Sequence, residues 1–397
     1  MRARSERGPD HRHQYRRDGF TWAAFGMLGG FGFLNALLGP ALPYLRAAEH
    51  ISYVVGSLHQ VAFAVGGGLA GLAATGARNR PGRGLVIRAG LVTAGLAGLG
   101  IGYGREPAIT VTAAFVVSLL GTSALIRMWA ALSDRHADQR SVAMIEGEAG
   151  VSVGGIVAPL LIGGLAASVL SWRFAFVTGA AVVAVTVGAS LPFRIPGSAP
   201  STRAAPGDRD GETGPDRPAA TLIIVFAVVA LEFSLSFWLA SYLNEEVRLP
   251  RGLAAAMVAG LYAANLAGRL VASQLARSAA TRRLLALSLG LALAGTPVLL
   301  TATSAPAAAV GLTVTGAGIG ATFPLASSLH IAASPRLADG ALGQVLAAGA
   351  AGQILGPLSV AGIAEAAGLR IGLLVVPAVT LLAAGALLAH QRRPQVH

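Results

Sequence analysis

The apolar positions of this chain neither alternate nor fall on one stripe of a helix. They form repeated blocks of about twenty or more residues, separated by short polar segments. A hydrocarbon core roughly 30 Å thick needs about twenty helical residues to cross it. Each block therefore predicts a membrane-spanning helix. Twelve are predicted: Gly19–Tyr44, Val54–Ala74, Leu85–Gly104, Ala108–Leu132, Val142–Leu170, Phe174–Phe193, Thr221–Leu243, Leu253–Leu275, Leu284–Thr303, Ala307–Ser334, Ala341–Ala366 and Ile371–His390. The Gly and Pro within them would weaken soluble helices, but are common in lipid, where small residues let helices pack closely. The first block is too long for the apolar region of a signal peptide, and no small-residue cleavage pattern follows it promptly. Residues 1–18 are therefore expected to be an uncleaved polar tail.

Residues 194–219 break the pattern with Pro, Gly, Ser, Asp and Arg, and read as a flexible linker. They divide two six-helix units, 19–193 and 220–390, and a short tail (391–397) follows. The units look like copies. Gly154-Gly-Ile-Val-Ala-Pro159-Leu-Leu-Ile-Gly-Gly-Leu-Ala166 aligns with Gly352-Gln-Ile-Leu-Gly356-Pro357-Leu-Ser-Val-Ala-Gly-Ile-Ala364 at an offset of 198, half the chain, with six of thirteen positions identical. A proline shared five helices into each unit favours duplication over chance likeness between two Gly/Ala-rich helices. Parallel repeats of this kind are a transporter signature.

Composition agrees: 54% of residues are hydrophobic, 12% are charged and mean hydropathy is +0.64, with about half the charge of a soluble domain. The absence of cysteine excludes disulfides, thiolate metal sites and cysteine nucleophiles. All thirty basic residues are arginine, and their placement orients the chain. With the N-terminus inside, 21 fall in inner segments and 6 in outer ones, a positive-inside bias that places both termini in the cytoplasm of a multi-pass cell-membrane protein. The net charge of +12 therefore does not mark a nucleic-acid partner, since these arginines sit in short loops between spans.

Several motifs resemble the major facilitator superfamily over nearly the whole chain, Gly19 to His390. The fifth span carries Gly154, Ala158-Pro159 and Gly163-Gly164, similar to the family's antiporter motif Gly-x-x-x-Gly-Pro-x-x-Gly-Gly. Trp172-Arg173-Phe174 matches a common start of helix 6, and Gly318-x-Gly320 with Phe323-Pro324 resembles a frequent helix 10 pattern. The loop after helix 2 reads Thr75-Gly-Ala-Arg-Asn79-Arg80-Pro-Gly82-Arg83-Gly84. Asn79 and Thr75 stand where the family's Gly-x-x-x-Asp-Arg-x-Gly-Arg-Arg has Asp and Gly, and Ala113-Ala114-Phe115 replaces an arginine the family carries in helix 4. The resemblance implies a fold of two pseudo-symmetric six-helix bundles, alternating access to a central site, and a gating role for Asn79, Arg80 and Arg83. Gly154, Ala158, Pro159, Gly163, Gly356 and Pro357 would be helix-packing positions.

An ionisable group inside a span costs several kcal/mol unless paired or hydrated, so each is a functional candidate. Glu146, Glu148 and Glu232 are the acids; Arg88, Arg127 and Arg269 are the bases. Apolar surroundings favour the neutral acid over the carboxylate. Glu232, mid-way along the seventh span, is thus the leading proton carrier or contact for a cationic substrate; a permanently neutral or paired structural acid is the alternative. Arg127 and Glu148 lie at similar depth in adjacent spans and predict a buried pair, structural or coupling. Glu146 and Glu148 are about 200° apart around a helix, so only one can face Arg127. Arg269 lies several residues from the height of Glu232, which predicts bridging by water or substrate rather than direct pairing. Arg88 is expected to snorkel. Asn35, His59, Gln60, Trp238, Asn265, Phe323 and Gln353 are cavity candidates, each equally suited to interhelical packing or hydrogen bonding. Lining helices in the family include those of Asn35, Trp238 and Gln353.

No P-loop supports ATP driving, no cluster has metal-ligand spacing, and no cofactor is implied. A membrane enzyme would need a nucleophile and base at one face; a receptor would need a larger domain outside the membrane than the longest loop allows. The expected function is a monomeric secondary transporter for a small organic molecule, coupled to protons and leaning to antiport and efflux, with lipid around it; an uptake permease for a sugar or organic acid is the alternative.

Overall fold

A computed structural model describes residues 17–76, 82–136, 139–166, 168–196, 218–276, 278–334 and 338–391. Among these the secondary structure is helical: α1 (Gly19–Ala36), α2 (Leu38–Glu49), α3 (Tyr53–Gly76), α4 (Arg83–Tyr103), α5 (Pro107–Arg135), α6 (Arg140–Ala166), α7 (Phe174–Ser190), α8 (Pro218–Glu245), α9 (Arg251–Leu275), α10 (Thr281–Leu300), α11 (Ala305–Ile319), α12 (Thr322–Ala333), α13 (Ala338–Ala367), α14 (Leu369–Gly372) and α15 (Val375–Gln391). Eleven stretches are long and apolar enough to span a membrane, and the shorter α7 makes the twelfth. Three predicted spans are interrupted. α1 and α2 form one stretch, Gly19–Glu49, broken at Leu37 because Pro40 and Pro43 remove backbone donors from the turns that follow. α11 and α12 break at Gly320–Ala321, and α14 and α15 at Leu373–Leu374. The sixth span ends three residues earlier than predicted. There Arg88 gives its Nη2 to the carbonyls of Ser190 (2.7 Å) and Phe193 (2.8 Å), closing the end of α7 rather than snorkelling.

Packing repeats itself. α1 packs on α6 as α8 packs on α13; α3 on α5 as α9 on α11; α4 on α5 as α10 on α11; α4 on α7 as α10 on α15. Two six-helix bundles with the same internal plan result. The repeated glycines explain one of these pairings. A Cβ on Gly154 would lie 2.2 Å from the Gly29 carbonyl oxygen, and one on Gly352, 198 positions later, 2.4 Å from that of Phe226. Each bundle thus needs a bare backbone where its fifth helix crosses its first. A polar contact is duplicated too: Thr21 Oγ1 meets His136 Nε2 at 2.7 Å, and Thr221 Oγ1 meets His330 Nδ1 at 2.8 Å. Each joins the start of a bundle's first span to the end of its fourth.

Between bundles, α6 packs on α9, α3 on α13, and α2 on α8. The outside of the molecule remains greasy: Val185 is 70% exposed and Ile145 and Leu287 are each 67% exposed. Lipid is the solvent that removes that cost.

Candidate functional site

Successive spans run in opposite directions, so the bundle has a terminal face, which carries both chain ends, and a distal face. Polar contacts divide by face. Among the described residues, the terminal-face pairs that follow join elements of one bundle. Arg17 pairs with Glu146 (2.5 Å) and Arg83 with Asp134 (2.7 Å); Arg83 also donates to the Pro196 carbonyl (3.1 Å). Arg135 Nε donates to Asp18 at 2.8 Å. Burial alone would push the Asp18 carboxyl up, but the Thr21 backbone N–H and hydroxyl and the Arg135 guanidinium outweigh it and hold it below the ordinary carboxylate range. Burial pushes the neighbouring His136 imidazole down, against the pull of Asp18 and Glu146. Asn79 and Arg80 lie outside the described residues.

On the distal face the bundles meet. Arg46 Nη1 donates to Glu245 at 2.7 Å and its guanidinium lies 3.7 Å from the centre of the Tyr53 ring; the Tyr53 hydroxyl also donates to Glu245. The Tyr53 backbone N–H donates to Glu365 at 2.9 Å. Lower on the same interface, a Cβ on Gly39 would lie 2.7 Å from the Ser236 carbonyl.

Glu232 sits near the middle of α8, and Glu148 and Arg269 lie toward the terminal-face ends of α6 and α9. Asn265 Nδ2 donates to Glu232 Oε1 at 3.2 Å, joining α9 to α8. Arg269, one turn further along α9, gives its Nη1 to Glu148 on α6 (3.2 Å) and its Nε to the Gly320 carbonyl (3.0 Å), and its charge reaches Glu232. Gly320 makes this possible, because a Cβ there would lie 2.0 Å from the Asn265 carbonyl oxygen. The break between α11 and α12 is thus pressed onto the turn of α9 that carries both polar groups. The Glu148–Arg269 pair bridges the two bundles while its side chains stay 46% and 37% exposed. Arg269 thus pairs with a carboxylate of one bundle and lies within electrostatic reach of a carboxylate of the other. Tyr262 belongs to the same cluster, within electrostatic reach of Glu232.

The expected Arg127–Glu148 pair does not form. Arg127 turns back to Ser123, donating to its carbonyl (2.9 Å) and hydroxyl (2.7 Å) one turn earlier in α5. Neither acid of α6 faces it: Glu148 pairs with Arg269 of α9 and Glu146 with Arg17. The cavity candidates also separate. Asn35 is exposed between buried neighbours, one turn from Gly39 on the face toward the other bundle. Gln353 is partly exposed on α13, and Phe323 is partly buried among Phe226 and Phe233. His59 is fully buried, with Nε2 2.9 Å from Thr110 Oγ1, and Gln60 is buried beside it. Trp238 is fully buried, with Nε1 donating to the Pro357 carbonyl at 3.0 Å. The last three are packing residues here, not lining ones. Ala158 is fully buried. The distal cluster of Arg46, Tyr53, Glu245 and Glu365 is absent from the sequence reading. Its one signal was that Arg46 and Glu245, opposite in charge, end the first span of each unit at almost the repeat offset.

Comparison with known proteins agrees with this architecture. A family model described as Major Facilitator Superfamily matches residues 24–338. The structure resembles a bacterial homolog of the human lysosomal transporter Spinster in an inward-facing, occupied conformation (TM-score 0.74, 18% identity, covering 93% of this chain and 96% of that one). It also resembles the nucleoside transporter NupG (0.75, 14%, 94% and 100%) and a D-xylose-proton symporter (0.69, 16%, 94% and 97%). At such identities the likeness is one of fold. No curated protein sequence matches the chain.

Proposed function

The chain belongs to the Major Facilitator Superfamily and is a secondary carrier rather than an enzyme; on that premise we propose that it exchanges protons for a small organic molecule, exporting the latter from the cell. The observation that carries this reading is the cluster of Glu232, Asn265, Arg269 and Glu148. Glu232 and Glu148, from opposite bundles, both act on Arg269. With Glu232 ionised, the guanidinium is shared between the bundles. A proton on Glu232 leaves Arg269 to Glu148 alone and changes the electrostatic cost of holding the bundles in this arrangement. A ligand bound among Asn35, Asn265 and Glu232 would compete for the same groups. Proton and substrate can then bias one two-state equilibrium in opposite senses, which is what exchange requires.

The distal contacts, together with the exposed polar groups below them, support an inward-facing state, taking the arginine-rich terminal face as cytoplasmic. The Gly154-x-x-x-Ala158-Pro159 pattern of α6, similar to the family's antiporter motif, supports antiport. Reconstitution in proteoliposomes with an imposed pH gradient and a panel of organic substrates tests the assignment. Wild type should move a substrate against the proton gradient. Glu232→Gln should lose the response to the gradient while keeping substrate exchange at equal pH. A gradient-driven flux that survives intact in Glu232→Gln removes this residue from the coupling, and co-directional flow of substrate and proton replaces export by uptake.

A further inference from the structure

The cluster around Glu232 contains two acceptors that no described residue serves. Glu232 takes one hydrogen bond, from Asn265 Nδ2 to its Oε1; its Oε2 takes none, and it forms no ion pair among the described residues. Arg269 spends its own bonds on Glu148 and the Gly320 carbonyl. Asn265 is 7% exposed, and its Oδ1, on the same amide that reaches Glu232, has no hydrogen-bond partner. A buried acceptor left in that state costs free energy that a ligand donor recovers. The charged or titratable groups facing Glu232 among the described residues are Arg269 and Tyr262 of α9 and Glu148 of α6. On the other elements packed against α8, Arg46, Glu365, Arg370 and His330 are engaged elsewhere, the first three at the distal end. With both acids ionised, two carboxylates and one guanidinium leave the cluster one negative charge.

We propose that the carried molecule is a monovalent organic ammonium ion with at least one N–H, held by the Glu232 carboxylate and by Asn265 Oδ1, and that it displaces one proton from Glu232 as it binds. The proposal rests on the carrier reading above and names its substrate class. Proton and ammonium are interchangeable at this place. A proton on Glu232 removes the charge and turns the carboxyl into a donor, which can serve Asn265 Oδ1 directly. An ammonium balances the carboxylate and serves the amide oxygen with its N–H. When it binds the protonated site, the carboxyl O–H bond breaks, the proton leaves to water, and N–H···O bonds to the carboxylate and the amide replace it. Other ligand classes do half the task or less. An alcohol serves the amide oxygen and leaves the charge. A carboxylate adds a second charge of the same sign. A quaternary ammonium balances the charge and leaves Asn265 unserved. The ionised, unserved cluster is costly to seal from water, so the carrier closes over one cation or the other.

The test is a binding experiment on the full chain in detergent. It involves no gradient and no flux, so the direction of transport is decided separately by the vesicle experiment. The probes are phenethylamine, phenethyl alcohol, hydrocinnamate and trimethyl(phenethyl)ammonium, with matching cyclohexyl and naphthyl series. In wild type the amines alone should raise the melting midpoint, and in weakly buffered solution their binding should release up to one proton per ligand. Glu232→Gln should bind the amines about tenfold more weakly and release no proton; Asn265→Leu should bind them about fivefold more weakly. The wild-type panel decides the ligand class even where a variant fails to fold. Binding of the alcohol, the acid or the quaternary ion as tight as that of the amine overturns the proposal. So does a panel in which no amine binds, or proton release that persists in Glu232→Gln.

Discussion

Single residues decide whether a charge in this molecule is structural or mobile. His136 is an example of the first kind outside the spans. Its folded-state imidazole titrates below its unfolded value because burial disfavours the cation. The unfolded chain therefore binds the proton first, and stability falls as pH drops below the ordinary imidazole range, toward the lower folded value. Thermal melts in detergent should lose midpoint between pH 7 and 5.5 in wild type, and His136→Gln should flatten that slope; equal slopes would contradict the assignment. Glu232 stood out in the sequence because an acid inside an apolar span is costly unless it is paired, hydrated or neutral. Its partner Asn265 was visible only as a generic candidate. Arg127 and Glu148 show the limit. Spacing gives height along a helix, but the direction a side chain takes depends on which neighbour the helix faces, and that is set by packing far away in sequence.

Among elements, the twelve spans were readable because lipid demands length and apolarity in every crossing. Breaks within spans were less so: Pro40 and Pro43 signalled the one at Leu37, but Gly320 gains its meaning only from the α9 backbone pressed against it. The repeated glycines make a prediction at this scale. Gly154→Ala and Gly352→Ala force a methyl group into the neighbouring backbone and should each cost on the order of 1–3 kcal/mol, seen as a lower melting midpoint. Gly155→Ala, whose added carbon meets nothing within 4 Å, should be near neutral. If all three behave alike, close crossing is not why these glycines stand where they do.

At the scale of the whole molecule, the sequence told that two halves exist but not which of their ends touch. The distal cluster draws Arg46, Tyr53, Glu245 and Glu365 from α2, α3, α8 and α13, and it is assembled by how the halves meet rather than by spacing along the chain. Its energetics are nevertheless accessible. Glu245→Gln removes the ionic acceptor shared by Arg46 and Tyr53, worth on the order of 1 kcal/mol, and should raise the distally open fraction roughly fivefold. A cysteine placed at Asn35 should then react correspondingly faster with an impermeant thiol reagent applied from the distal side. An unchanged rate would show that the cluster does not hold that face shut.

Gly39 adds a mechanical consequence. Where α2 rests on the α8 backbone, nothing but hydrogen separates the two chains, and the contact can act as a fulcrum. From there to Gly19 the first span runs about 30 Å at 1.5 Å per residue, so a tilt of about 10° sweeps the mouth through roughly 5 Å. Wear at that one bearing point would be magnified along the whole lever, and a bulkier residue would alter the stroke of the carrier without touching anything it carries.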